Sequence, residues 1–243
     1  MHRTGELFGQ FQTLDQQKES ATLGMWIFLV TEVLFFGGLF LTYTINRHQF
    51  FTAFGIGSNT LDIKLGGFNT VVLILSSLTM AMAVWSAQTG KRKLVTGFLI
   101  ATLSLGTVFL GVKVIEYKQK FDHHLVPGLS FDLKYHPAHP VPGDDPKELA
   151  LEKKEVEEAF EHDPDTNAHG QLYFSLYFGM TGLHALHMIV GAGLLVWLIK
   201  GSFRGRFTTQ YNTPVEIVGL YWHFVDIVWI YLFPLLYLID RHR

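Results

Sequence analysis

The residues of this chain with the clearest capacity for chemistry lie inside apolar runs. His223 and Asp226 stand three positions apart in YWHFVDIVW, within an apolar run from 215 to 239. About 20 apolar residues suffice to cross a bilayer, and a carboxylate there costs roughly 2.5–3.5 kcal/mol on insertion scales. We therefore expect Asp226 to be paired, or to face protein or water. A carboxylate that orients an imidazole occurs beside metals and in interhelical polar contacts, and we favour the second interpretation.

Three more ionisable side chains interrupt apolar runs: Glu32 in TEVLFF, and His184 and His187 in TGLHALH. A glutamate in lipid is by default a functional or packing partner inside the bundle, and a polar tie between helices is favoured over proton chemistry. His184 and His187 share one helical face, and imidazole ligates metals and haem. We favour a structural tie with Glu32 as a partner, and predict a buried polar network with no catalytic residue and no metal ligand set: Glu32, His184, His187, His223 and Asp226.

A lysine and a glutamate near the end of the third apolar run pose the same question. Lys113 and Glu116 are three residues apart, so Lys113 can pair with Glu116 or extend its charge to the membrane surface. The sequence alone favours the surface anchor.

The composition indicates membrane-spanning elements. Hydrophobic residues make up 49% of the 243 residues and charged residues 16%, against about 25% charged in soluble domains. Cysteine is absent, which excludes disulfides and thiolate metal sites. We predict an all-α integral membrane bundle of five transmembrane helices at about 22–43, 67–87, 94–115, 172–199 and 215–239. The domains follow as a polar tail (1–21), spans one to three (22–120), an insert (121–170) and spans four and five (171–243).

The insert at 121–170 is polar and acidic. It contains twelve acidic and four basic residues, which gives a net charge of −8. Its second half predicts a helix from 146 to about 161, with Asp145 as N-cap, Glu148 completing a capping box, and Leu149, Val156 and Phe160 on one face. Fifty residues are too many for a simple connector, so we expect the insert to pack on a partner.

The basic residues predict the orientation. Eight lie near span ends on the N-terminal side and six on the other, and basic short loops favour the cytoplasm. The N terminus is therefore expected in the cytoplasm of a bacterial-type inner membrane, with the insert and the C terminus outside. Lys200, Arg204 and Arg206 are then candidates for binding phospholipid head groups. The net charge of −2 gives no indication of nucleic acid, and none is expected as a partner.

Four segments give the chain a family resemblance. It resembles subunit III of the haem–copper oxidases, as in cytochrome c oxidase. The segments are EVLFFGG at 32–38, the span 94–117 that follows GKRK and ends in Glu-Tyr, TGLHALH at 181–187 with Gly191, and YWHFVDIVW at 221–229, with weaker support from FNT at 68–70. Together they cover all five spans in order.

The resemblance implies a role in a larger complex. Subunit III of this family holds no haem and no copper, which reside in partner subunits. It packs on the catalytic subunit I, holds phospholipid and supports proton uptake. The family's membrane glutamate maps onto Glu32, its helix-borne histidines onto His184 and His187, and its last-span motif onto His223 and Asp226. The complex transfers electrons from cytochrome c, or from quinol in some relatives, to oxygen and pumps protons.

Two departures qualify the resemblance. Many members have two more spans at the N terminus, where this chain has a polar tail. The acidic insert stands where a short loop is usual, and we interpret it as a contact for subunit II, for cytochrome c or for a cytochrome-bearing subunit.

These observations leave several functions open. The leading one is an accessory structural subunit of a proton-pumping cytochrome c oxidase in aerobic electron transport. The alternative is subunit III of a quinol oxidase, or a homologue associated with a nitric oxide reductase. A membrane haem protein built on His184, His187 and His223, and a proton-coupled transporter using Glu32 and Asp226, are further alternatives.

Overall fold

Seven α-helices and one π-helix make up the regular structure of the described residues. The computed structural model describes residues 10–128, 130–134 and 146–239, with only the backbone at 146, 148, 149 and 152. The helices are α1 (Leu14–Gln49), α2 (Phe51–Asn59), α3 (Ile63–Gln88), α4 (Arg92–Asp122), α5 (Pro146–His162), α6 (Thr166–Phe203) and α7 (Thr213–Phe233), followed by a π-helix (Pro234–Leu238). The predicted all-α class is confirmed.

Five of these helices are long and apolar enough to cross a membrane: α1, α3, α4, α6, and α7 with the π-helix. They coincide with the five predicted spans, and four of the five run past the predicted span at both ends. α1 has 36 residues and α6 has 38, whereas about 20 suffice for the hydrocarbon core. Hydropathy detects only the core, while the ladder of backbone hydrogen bonds continues into the polar ends.

Two elements were not predicted. The nine-residue α2 lies between the first two spans, and its Ala53, Phe54 and Ile56 are buried. The π-helix begins at Pro234, which lacks the N–H that a regular helix would use. Hydropathy does not distinguish either element, because α2 is too short for a membrane span and the π-helix continues the apolar run of α7.

The chain divides into two compact units, each made from parts of several helices. The first comprises Met1–Phe35, Thr70–Leu110 and His184–Trp229. Its core includes the buried Trp222, against which Gly106 of α4 and Gly191 of α6 lie so closely that a Cβ on either would come within 2.9 Å of the indole. The absence of a side chain at these glycines lets a large aromatic ring fill the space between helices.

The second unit comprises Phe36–Asn69, Gly111–Leu183 and Ile230–Arg243, and contains the insert. The predicted insert helix is confirmed as α5, which packs on α2 and buries Val156 and Ala159. The proposed N-cap Asp145, and the side chains of Glu148 and Leu149, lie outside the described residues. The Thr166 hydroxyl at the start of α6 lies 2.6 Å from the Asp163 carbonyl and 3.1 Å from the Ala159 carbonyl. The described part of the insert therefore packs on its own chain, so its expected partner would meet its exposed acidic side.

Candidate functional site

Glu32, His187 and Tyr221 meet in the first unit, from α1, α6 and α7. The Oε2 atom of Glu32 lies 3.5 Å from Nε2 of His187, with side-chain exposures of 19% and 18%. This distance is typical of a close ionic contact and lies beyond an ordinary hydrogen bond. The Tyr221 hydroxyl donates to the His187 carbonyl at 2.9 Å and lies 3.1 Å from His187 Nδ1. Glu32 thus approaches His187, one of its two predicted partners.

His184 occupies a buried aromatic environment. Its Nε2 lies 3.1 Å from the Val225 carbonyl, which can only accept, so Nε2 carries the hydrogen and donates. The ring meets Phe109 edge-on with centroids 5.3 Å apart, and Trp229 lies at 5.2 Å. Ligation of haem through Nε2 would have to replace the bond to Val225.

His223 and Asp226 sit beside α3. Ser77 Oγ is 2.7 Å from His223 Nδ1. Asp226 is 2% exposed, and among the described residues no hydrogen bond of ordinary geometry reaches its carboxyl oxygens, although Ser77 is close by. A buried carboxyl with so little polar compensation is costly when ionised. The five predicted site residues therefore all lie in one unit. Of the five, Glu32 and His187 approach each other, whereas His184 and His223 contact Val225 and Ser77.

A second polar cluster, in the second unit, is far more buried than the sequence indicates. Lys113 Nζ donates to Glu116 Oε2 at 2.9 Å and to the Tyr237 hydroxyl at 2.7 Å. Tyr177 donates to Glu116 Oε1 at 2.7 Å, and Tyr237 donates to the same oxygen. The interpretation of Lys113 as a surface anchor is wrong, because its side chain is 4% exposed and that of Glu116 is 1% exposed. The three-residue spacing predicted that Lys113 and Glu116 could pair. The two tyrosines that hydrogen-bond to Glu116, and so reduce the cost of burying it, are 61 or more positions away in the sequence.

Polar side chains also satisfy the end of the π-helix. Arg47 donates to the carbonyl of Ile239 at 3.1 Å, and Ser58 donates to that of Leu236 at 2.8 Å. The Tyr43 hydroxyl donates to the Leu235 carbonyl at 3.1 Å. Terminal carbonyls have no partner within their own helix, so these side chains stabilise the end of the last span. No sequence motif marks them.

The three candidate lipid ligands lie where α6 ends. Lys200 is in the last turn, and Arg204 and Arg206 flank Gly205, whose φ of 67° makes the turn. All three basic residues are exposed. They can therefore reach an anionic head group. In the described ranges no cluster of three or more His, Asp or Glu side chains could hold a metal ion.

Comparisons with known proteins identify the family of this chain. A family model described as cytochrome c oxidase subunit III matches residues 2–122 and 159–240. The chain belongs to the cytochrome c oxidase subunit III family. The match omits 123–158, which is most of the acidic insert.

Three relatives illustrate the range of this family. The chain is 29% identical over 219 residues to a probable quinol oxidase subunit 3 of Staphylococcus haemolyticus, covering 89% of this chain and 88% of that protein. It is 27% identical over 220 residues to the cytochrome bo(3) ubiquinol oxidase subunit 3 of Pseudomonas aeruginosa, covering 90% and 85%. It is 29% identical over 243 residues to the heme-copper oxidase subunit I+III of Aeropyrum pernix, covering 96% of this chain and 24% of that protein.

Membership of the subunit III family has two direct consequences. The chain is an integral membrane protein of respiratory electron transport. It associates with other haem–copper oxidase subunits such as subunit I.

Proposed function

We propose that this chain is an accessory structural subunit of a proton-pumping cytochrome c oxidase, which packs on subunit I, holds phospholipid and supports proton uptake. The observation that carries the proposal is the Aeropyrum relative, whose name joins subunits I and III in one protein. Fusion keeps two chains together at a high effective concentration, and a separate subunit III must achieve the same association by packing. The five polar residues of the first unit would then support the bundle, and haem and copper would reside in subunits I and II.

The test is a pull-down of this chain in gentle detergent, with an absorption spectrum and mass spectrometry of what accompanies it. Large haem-bearing and copper-bearing partners, with no haem on this chain after separation, are expected. A chain that purifies alone and carries haem would favour the histidine haem protein. A chain that purifies alone and colourless, and drives proton-coupled uptake in vesicles, would favour the transporter.

The electron donor separates two versions of this proposal. The acidic insert favours cytochrome c, because an acidic surface attracts basic carriers and raises their association rate. The described part of α5 keeps Glu157, Glu158 and Glu161 exposed. The names of the Staphylococcus and Pseudomonas relatives favour quinol instead. Oxygen consumption by the purified complex with reduced cytochrome c, and separately with a quinol, distinguishes the two.

The insert can be tested without deleting it. Deletion of 141–165 would also remove Val156 and Ala159, which pack on α2, so charge reversal is the cleaner change. In a cytochrome c oxidase, Glu157→Lys with Glu161→Lys should raise the KM for cytochrome c several-fold at low salt, with little effect at high salt because the charges are screened. Lys153→Glu with Lys154→Glu is the control and should lower the KM or leave it unchanged. An unchanged KM in the Glu→Lys variant would show that the insert takes no part in binding the electron donor.

Lipid binding is a separate element of the proposal. Lys200, Arg204 and Arg206 would hold phospholipid head groups by charge. The variant in which all three are Ala should retain less phospholipid in native mass spectrometry. Replacing three exposed lysines of α5, Lys147, Lys153 and Lys154, by Ala is the matched control. Equal retained lipid in both variants would argue against the site.

A further inference from the structure

The hydrogen atoms around His187 can be assigned from its neighbours. Tyr221 has one hydroxyl hydrogen, and it is directed to the His187 carbonyl at 2.9 Å, an oxygen that can only accept. The same hydroxyl oxygen lies 3.1 Å from Nδ1 of the His187 ring. The shorter contact assigns the hydroxyl hydrogen to the carbonyl, and the hydroxyl oxygen then accepts from Nδ1. His187 therefore carries a hydrogen on Nδ1, and in a neutral ring Nε2 carries none.

The bare Nε2 position is the one that faces Glu32. An imidazole lone pair directed at an ionised carboxylate is repulsive, and the low dielectric of a membrane interior strengthens that repulsion. A proton between Nε2 and Glu32 Oε2 removes it, either as a neutral acid beside a neutral ring or as an ion pair. The 3.5 Å separation is longer than an ordinary hydrogen bond, so a shared proton requires the carboxyl group to rotate toward Nε2.

We propose that Glu32 and His187 hold one proton between Oε2 and Nε2, and that Tyr221 is the positioning residue that reserves Nε2 for it. The pair is assembled from three helices: Glu32 comes from α1, His187 from α6 and Tyr221 from α7. Two other histidines of the same unit have separate contacts, His184 with Val225 and His223 with Ser77.

The pair lies at the surface of the described chain rather than in its core. Both side chains retain nearly a fifth of their exposure, unlike Asp226, which is 2% exposed. α1 is the least buried of the five spans. The existence of this proton site does not depend on the proposed function. Its use in proton uptake by an oxidase does rest on that function.

The first experiment is nitrogen NMR of the intact complex containing this chain labelled at histidine, with the His187 signals assigned by their loss in His187→Gln. We expect Nδ1 to be protonated, either alone or together with Nε2. A ring protonated at Nε2 alone would overturn the proposal, because Tyr221 would then be the donor to Nδ1. This measurement is made on the unaltered site, so it does not depend on a variant that must fold.

Variants test the two partners. Tyr221→Phe should abolish the preference for Nδ1, with Tyr231→Phe as control because Tyr231 is 64% exposed on the same helix. Glu32→Gln should remove the Glu32 band from the infrared spectrum, a deuterium-sensitive carboxylic acid band for the neutral pair or a carboxylate band for the ion pair. It should leave His187 with one ring hydrogen, and Glu216→Gln is the control. A His187 signal unchanged in Tyr221→Phe, or an infrared spectrum unchanged in Glu32→Gln, would contradict the proposal. Proton uptake by the complex is measured separately, so failure of the oxidase function and failure of the proton site remain distinguishable.

Discussion

The Lys113–Glu116 pair shows how single residues in this chain depend on partners that are distant in sequence. Neither charge reaches solvent, and burial of two charges is tolerated when their remaining hydrogen-bonding positions are filled. Tyr177 and Tyr237 each donate a hydrogen bond to Glu116, and the Tyr237 hydroxyl also accepts one from Lys113. The ammonium group of Lys113 further lies 5.3–6.0 Å from the ring centroids of three tyrosines, a range that includes weak cation–π contact.

Lys113→Met should destabilise the protein strongly, because it leaves the Glu116 carboxylate buried without its cation. Breaking one partner of a buried pair costs about 3–5 kcal/mol. Thermal unfolding of the purified complex measures the loss, with Lys118→Met as control because Lys118 is exposed on the same helix. The double variant Lys113→Met with Glu116→Gln should lose less than the single one. Equal melting of Lys113→Met and Lys118→Met would contradict this account.

At the scale of helices, close approach depends on particular glycines. A Cβ at Gly191 would lie 2.8 Å from the Trp222 ring, whereas a Cβ at Gly193 would have no atom within 4 Å. The two glycines are two residues apart on α6. Alanine at either position changes the helix propensity in the same way, but only alanine at Gly191 also changes the packing against Trp222.

Gly191→Ala should therefore destabilise the bundle by about 1–3 kcal/mol, the usual cost of overpacking. Gly193→Ala should be neutral or slightly stabilising, because alanine is the better helix former. Loss of the folded complex on heating in detergent is the measurement. The explanation fails if the two alanine variants unfold at the same temperature.

The insert helix α5 is held by its apolar face. Val156 is 1% exposed on the side that meets α2, and Leu151 is 63% exposed. Burying a valine side chain contributes about 1.5–3 kcal/mol.

Val156→Glu should detach α5 from α2 and make 146–162 sensitive to added protease. Leu151→Glu adds the same charge at an exposed position and should leave the cleavage rate near that of the parent. Limited proteolysis followed by mass spectrometry of the fragments gives the rates. Similar cleavage of both variants would show that Val156 does not anchor the helix.

At the scale of the whole molecule, an odd number of spans places the two termini on opposite sides. The chain has no cysteine, so single cysteines can report the side of each loop. We expect Lys93→Cys and Thr209→Cys to react with an impermeant thiol reagent only from the cytoplasmic side, and Glu157→Cys only from the outer side. Labelling of intact cells and of inverted vesicles measures this. Reaction of Glu157→Cys from the same side as Lys93→Cys would contradict the five-span orientation.

The sequence by itself determined the class of this protein, its five spans and its family, because each rests on local patterns. Long apolar runs predict membrane helices whatever packs against them, and motifs such as YWHFVDIVW indicate the family from the sequence alone. The insert helix was also predicted from its local pattern. Its limits differ by one residue from those of α5, whose end at His162 lies one residue beyond the predicted Glu161.

Only the tertiary structure decided which polar groups meet. It placed Glu32 against His187, directed His184 to Val225, and buried Lys113, which the sequence had placed at the surface. These outcomes depend on how five helices rotate and approach one another. That packing is set by contacts between residues far apart in the chain, such as Trp222 against Gly106 and Gly191. Periodicity within one helix does not specify the partner that its polar side chain will find on another.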